Sequence, residues 1–143
     1  MDDRQAMNDI IAIGIGCRKG CSGDVLIRLV SQALAEWPED LAEHGVRKLF
    51  TIDDKRDEAG IKQAADLLGI ELVYLSREQL NAVMPRTKTY SARAQKLFGV
   101  GSVAEASALA GAGDKAVLVV PRISSDNATC AIAAHLPNSG EPS

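Results

Sequence analysis

Hydrophobic residues in the first half of the chain fall into short continuous runs separated by stripes with helical spacing. The run at 10–16 is apolar and β-branched, which is typical of a strand buried on both faces of a sheet. The run at 46–52, which mixes apolar residues with Arg47 and Lys48, and the run at 70–75 predict two further strands. The stripes at 25–34 and 61–68 recur every three or four residues and predict two amphipathic helices. Strands and helices that alternate in this order predict parallel pairing with right-handed crossovers.

The second half of the chain predicts shorter helices. Ser76 with Gln79, and Ser102 with Glu105, have the spacing of capping boxes, so each pair predicts the start of a helix. A further short helix is expected at 92–97, between these two starts.

Two strand-like runs, 116–120 and 129–134, follow these helices and predict an antiparallel pair joined by a loop at 121–128. We therefore predict a single three-layer α/β domain at 9–136, with a mixed, mostly parallel sheet of about five strands and helices on both faces. The remaining segments are predicted to be flexible tails: 1–8 and 137–143.

The composition excludes several classes of protein. The 143 residues are 46% apolar, which suits one domain with an ordinary core. A net charge of -3 and an aromatic content of 3% disfavour nucleic-acid binding. The first residues are acidic and no apolar stretch could span a membrane, so we expect a cytoplasmic protein without a membrane partner. Three cysteines predict free thiols, and we expect neither a metal nor a cofactor.

The turn after the first predicted strand is the first candidate for chemistry. It has the sequence GIGCRKGCS and enters a helix, where free backbone N–H groups and two basic side chains favour an anion. The glycine spacing fits neither the dinucleotide fingerprint nor a P-loop, and a tight turn with solvated basic residues is the alternative. The candidate ligand-binding residues of this turn are Gly14, Gly16, Cys17, Arg18, Lys19, Gly20 and Ser22.

Six charged residues, DDKRDE at 53–58, follow the second predicted strand. The acidic ones suit a helix start and need no further role, whereas Lys55 and Arg56 oppose the helix dipole there. Because the carboxyl ends of parallel strands meet at one edge of a sheet, both loops are expected to face one ligand. Arg18, Lys19 and Lys55 would anchor carboxylates or phosphates. The candidates for proton transfer are Asp53, Asp57 and Glu58.

Other reactive or charged side chains have simpler explanations. The thiol of Cys17 lies near a helix N-terminus and is expected to have a lowered pKa, but the sequence names no partner base for it. Cys17 and Cys21 are too few ligands for a metal site. Further basic residues are predicted to be solvated surface groups: Arg86, Lys88 and Arg93.

Four segments together resemble a known family. They are GIGCRKG at 14–20, TIDDKRDE at 51–58, GSVAEA at 101–106 and TCAIA at 129–133. In this order, across 11–133, they resemble the stand-alone CobE proteins and the C-terminal domain of CbiG, both from cobalamin biosynthesis.

The resemblance implies a bacterial, cytosolic α/β protein with a role in corrin-ring construction. Its implied ligand is a tetrapyrrole intermediate with many acetate and propionate carboxylates, and other corrin-pathway enzymes are implied as further partners. The resemblance adds Ser102 and Glu105 as candidate ligand-binding residues. Arg122 stands where relatives tend to carry a lysine, and the resemblance assigns it no role.

Three hypotheses of function follow. In the first, the domain binds a polycarboxylate tetrapyrrole as a carrier, stabiliser or processing factor. In the second, it is a hydrolase in which Asp53, Asp57 or Glu58 activates a water that opens a precorrin lactone with aldehyde release, as is associated with CbiG. The third is a nucleotide-binding module, suggested by Gly14 and Gly16 alone.

Overall fold

Five strands form one sheet in the computed structural model, which describes residues 10–37, 45–98, 101–125 and 127–135. The predicted tails lie outside these ranges. The strands are β1 (Ile10–Cys17), β2 (Val46–Ile52), β3 (Glu71–Leu75), β4 (Val117–Ser125) and β5 (Ala128–Ala134). Their order across the sheet is β3-β2-β1-β5-β4.

The pairing of the strands brings the functional loops to one end of the sheet. β1 is parallel to β2 and β2 to β3, whereas β5 runs antiparallel between β1 and β4. Cys17, at the end of β1, pairs with Ala128, at the start of β5. The turn between β4 and β5 therefore lies at the end of the sheet where β1, β2 and β3 finish. The predicted mixed α/β fold, with its antiparallel last pair, is confirmed.

Helices pack on both faces of this sheet. They are α1 (Gly23–Ala35), α2 (Ala59–Leu68), α3 (Arg77–Ala82), α4 (Ala92–Phe98) and α5 (Val103–Ala112), with 3₁₀ turns at Asp53–Lys55 and Met84–Arg86. Residues Ile11, Ile13 and Ile15 of β1 pack with α1 and α2. Ala12 packs with α3 and α5, because successive side chains of a strand point to opposite faces. No described helix has the length and hydrophobicity needed to cross a bilayer.

The helix α5 lies directly against β1 at Gly14. A Cβ atom on this glycine would lie 2.6 Å from the backbone nitrogen of Ala108, and closer still to the carbonyl oxygen of Ala104. Both neighbours are backbone atoms of α5, which cannot rotate away. Gly14 therefore allows the helix to approach the sheet, and this role accounts for the glycine without a ligand.

The strand β4 is longer than the sequence predicted. The predicted loop at 121–128 is wrong at 121–125 and at 128, because β4 continues through Ser125 and β5 begins at Ala128. Pro121 is tolerated in it because β4 is an edge strand, where a missing backbone N–H costs little. The pairing with β5 also shifts register twice between Leu118 and Ile123, as β-bulges do. The extension carries Arg122 and Ser124 toward the functional end of the sheet.

Candidate ligand-binding site

A cavity of about 330 Å³ lies at the end of the sheet where β1 and β2 finish. Its walls come from the β1–α1 loop, the turn Asp53–Lys55, the helix α4, the start of α5 and the β4–β5 hairpin. Polar groups on the walls come from Ser91, Ser124, Asn127 and Thr129. The apolar part is formed by Ala94, Leu97, Phe98 and Val103.

Four cationic side chains line the cavity, each from a different element. Arg18 comes from the β1–α1 loop, Lys55 from the turn after β2, Arg93 from α4 and Arg122 from β4. None of the described residues on its walls is an aspartate or a glutamate. Within the described ranges, none of the four cations forms an ion pair either. The cavity is therefore a concave, positively charged site suited to an anionic ligand.

Backbone hydrogen bonds fix the first loop to its neighbours. The backbone nitrogen of Arg18 donates to the carbonyl oxygen of Asn127 at 2.8 Å, which ties the loop to the β4–β5 hairpin. The backbone nitrogen of Gly20 donates to Oε1 of Glu58 at 2.8 Å, which ties it to the second loop. The two loops predicted to meet at the carboxyl edge are thus directly bonded. The loop that carries Arg18 is therefore bonded both to the β4–β5 hairpin and to the second loop.

The carboxylates predicted as general bases lie outside the cavity. Glu58 accepts the hydrogen bond from Gly20, Asp53 pairs with Arg56, and Asp57 is exposed. None of these three lines the cavity walls. They hold the loops or face solvent, and the described cavity has no carboxylate that could activate a water.

The aromatic ring of Phe98 connects the second loop to α4. The Nζ atom of Lys55 lies 5.5 Å from the centre of this ring, and the guanidinium of Arg77 lies 5.7 Å from it. Both distances are within the range of cation–π attraction. Arg77 also forms a two-point ion pair with Asp54, with Nη2 to Oδ2 at 2.6 Å. Asp54, which no hypothesis used, thus helps to place α3 and α4 beside the cavity.

The structure brings some of the predicted ligand-binding residues together and separates others. Gly16, Cys17, Arg18 and Lys55 line the cavity. The others lie outside its walls: Gly14, Lys19, Gly20, Ser22, Ser102 and Glu105. Ser22 caps α1, since its hydroxyl accepts a hydrogen bond from the backbone nitrogen of Val25. Ser102 caps α5 in the same way, through the backbone nitrogen of Glu105.

Sequence reasoning missed two of the four cations. The sequence predicts Arg93 to be a solvated surface group and places Arg122 near the start of the loop at 121–128. The clue to Arg122 was Ile123, a β-branched residue that extends the strand pattern past Pro121. With that longer strand, Arg122 and Ser124 would have been placed next to the turn that faces the first loop.

The expected lowering of the Cys17 pKa is wrong. Burial raises the pKa of Cys17, and a hydrogen bond with the Cys21 thiol raises it further. Desolvation of the thiolate therefore outweighs any help from the start of α1. Burial likewise raises the pKa of Cys130 to about 12. Across the described ranges, no three His, Cys, Asp or Glu side chains come together as a metal site requires.

Comparison with known proteins places this chain in a family. The family model described as "Cobalamin synthesis G C-terminus" matches residues 11–133. The chain belongs to this family. Protein CobE of Sinorhizobium sp is 31% identical over 123 residues, which cover 86% of this chain and 79% of the relative.

Two solved structures of cobalamin-pathway proteins share the fold. The crystal structure of CobE, described as a protein of the cobalamin (vitamin B12) biosynthetic pathway, matches with a TM-score of 0.79 and 37% identity, covering 90% of this chain and 92% of that one. The cobalamin biosynthesis protein chiG of Agrobacterium tumefaciens matches with a TM-score of 0.67 and 38% identity, covering 89% of this chain and 99% of that one.

A relative with an enzymatic name matches over a smaller part. The cobalt-precorrin-5A hydrolase of Priestia megaterium is 35% identical over 74 residues, which are 52% of this chain. The match spans only 19% of that enzyme's length. The similarity therefore supports common family membership. The hydrolase activity is named for the whole of that longer enzyme.

Proposed function

We propose that the cavity binds a polycarboxylate tetrapyrrole intermediate of cobalamin biosynthesis, and that the protein acts as its carrier or stabiliser. The observation that carries this proposal is the convergence of Arg18, Lys55, Arg93 and Arg122 on one cavity without a described carboxylate on its walls. Corrin intermediates bear acetate and propionate groups around their rim. Cations from several directions match such a rim better than they match a ligand with one anionic group.

The size of the cavity indicates how such a ligand would bind. At about 330 Å³ it is at the lower end of the range for small-molecule sites. A tetrapyrrole would therefore insert one edge with its carboxylates and leave the rest of the macrocycle outside. The apolar residues Leu97 and Phe98, next to the cations, would contact the flat ring face. A partly exposed ligand is one that other enzymes of the pathway could take over.

Binding is favoured over hydrolysis by the positions of the carboxylates. The hydrolase hypothesis needs Asp53, Asp57 or Glu58 within hydrogen-bond reach of a water at the ligand. These side chains are engaged elsewhere or exposed, as described above. A lactone-bearing precorrin incubated with the protein, followed by mass spectrometry, separates the two activities. Uptake of one water with release of an aldehyde would replace the carrier proposal by the hydrolase.

The direct test is a titration with a corrinoid acid such as hydrogenobyrinic acid, followed by visible absorbance at low and high salt. If each cation contributes about 1 kcal/mol through a partly solvated contact, the double variant Arg18→Ala, Lys55→Ala binds about 30-fold more weakly. Binding by the wild type should also weaken with salt, because the contacts are partly exposed charges.

The matched control is the double variant Arg28→Ala, Lys62→Ala. It changes the net charge by the same amount at exposed positions of α1 and α2, away from the cavity. Its affinity should stay within about twofold of the wild type, because screened distant charges contribute little. Equal losses in the two double variants would contradict a site at Arg18 and Lys55. ATP serves as a comparator ligand, since the nucleotide hypothesis requires that it bind.

A further inference from the structure

A buried carboxylate lies behind the walls of the cavity. Glu105, in the first turn of α5, has 0% of its surface exposed. Its Oε1 accepts hydrogen bonds from the backbone nitrogens of Lys88 at 2.7 Å and Thr89 at 2.8 Å. Its Oε2 accepts one from the backbone nitrogen of Arg122 at 3.0 Å. Three backbone donors thus converge on one buried side chain.

These three bonds hold two walls of the cavity. Lys88 and Thr89 belong to the segment that leads into α4, which carries Arg93, and Arg122 belongs to β4. All seven residues of α4 are described and none of them is fully buried, although Ala94 and Phe98 pack partly buried against the core. With so little buried surface on the helix, the bonds made just before it also help to position it, and those to Glu105 are among them.

We propose that Glu105 is a positioning residue, which sets the places of Arg122 and Arg93 through the backbone and does not touch the ligand. The inference rests on the proposed function, since it concerns the geometry of that same site. A carboxylate suits this role because it only accepts hydrogen bonds and has two oxygens for them. In a Glu105→Gln variant, a side-chain NH₂ would face at least one backbone N–H, and that donor would be left buried without an acceptor.

The first readout needs no ligand. Hydrogen exchange followed by NMR should show slow exchange at the amides of Lys88, Thr89 and Arg122 in the wild type. Glu105→Gln should accelerate exchange at one or more of these three amides. Ser107→Ala is the matched control, because Ser107 is equally buried on the same helix and its hydroxyl has no partner among the described residues. It should leave the three amides unchanged.

The second readout is a double-mutant cycle on corrinoid affinity. Glu105→Gln alone should weaken binding about tenfold, the size expected when a charge-assisted contact is displaced. If Glu105 acts through Arg122, the same change should cost much less in an Arg122→Ala background. It should keep most of its cost in an Arg18→Ala background, since Glu105 bonds to the backbone of Lys88, Thr89 and Arg122 and makes no described bond to the loop of Arg18. General loosening of the fold would show no such difference between backgrounds.

The outcomes separate this inference from the proposed function. A wild-type protein that binds no corrinoid acid rejects the proposed function, whatever the amides show. Fast exchange of the three amides in the wild type, or unchanged exchange in Glu105→Gln, rejects the positioning role. Equal costs in the two arginine backgrounds reject it as well. If Glu105→Gln does not fold, Glu105→Asp, which keeps the charge on a shorter side chain, takes its place in the cycle.

Discussion

Replacing Gly14 by alanine tests whether this glycine serves packing or the ligand. The added Cβ would lie 2.6 Å from the backbone nitrogen of Ala108, well inside normal van der Waals distance, and nearer still to Ala104. Neither neighbour is a flexible side chain, so α5 must move away from β1 by about 1 Å. That movement would separate small buried residues along the helix from the sheet, including Ala104 and Ala108.

The expected loss of stability follows from this geometry. Overpacking of a core typically costs 1–3 kcal/mol, and a clash of backbone with backbone belongs at the upper end, about 3 kcal/mol. With a urea m-value of about 2 kcal/mol/M, the unfolding midpoint should fall by about 1.5 M. Circular dichroism during urea unfolding measures this shift. Corrinoid affinity of the folded variant should stay close to that of the wild type, because Gly14 lies outside the cavity.

Gly20→Ala is the control for this experiment. Gly20 has φ of +81° and nothing within 4 Å of its missing Cβ, so alanine there adds only left-handed backbone strain of about 1 kcal/mol. A Gly14→Ala variant that loses less stability than this control would refute the packing argument. A Gly14→Ala variant that keeps its stability but no longer binds the corrinoid would show that Gly14 belongs to the ligand site.

Two further predictions concern ionisable groups. A hydrogen bond from Arg77 lowers the pKa of Asp54, so this pair stabilises the fold above the unfolded-state pKa of about 3.9 and ceases to do so as the pH falls through the lowered value. The difference in unfolding temperature between the wild type and Asp54→Asn should therefore be present at pH 7 and vanish in acid; a constant difference would contradict the pairing. Burial raises the pKa of Cys17, so iodoacetamide at pH 8 should alkylate Cys17 far more slowly in the native protein than in urea. Mass spectrometry of the labelled peptides measures both rates, and equal rates would contradict a raised pKa of this partly buried thiol.

The meeting of Arg18 and Lys55 was predictable because it needs only the order of elements in the first half of the chain. Parallel strands joined by helical crossovers bring their carboxyl ends to one edge, whatever follows them. Arg93 and Arg122 could not be placed in this way. The position of Arg122 depends on β5 inserting between β1 and β4, and the segment before Arg93 is bonded to Glu105. Both are contacts between distant parts of the chain that no local pattern records.

The two predicted capping boxes show where local patterns stop being informative. Ser76 and Gln79 form both hydrogen bonds of the capping box. The first turn of α3 is exposed, so no other described segment competes for the side chain of Gln79. Ser102 caps α5 as predicted, but the carboxylate of Glu105 turns to Lys88, Thr89 and Arg122. The pattern describes how a helix starts, and it contains nothing about the segments that later pack against that helix.

The distribution of charge explains how an acidic protein can present a basic cavity. The chain carries a net charge of -3, which alone argues against anionic ligands. Near the cavity, however, Glu58 and Glu105 bind backbone amides, and Asp53 pairs with Arg56. Among the described residues, none of these three carboxylates forms an ion pair with a cation of the cavity walls. Cations without a described ion pair thus line a concave site, where they favour an anion that fits inside it, while the net negative charge of the chain disfavours large polyanions.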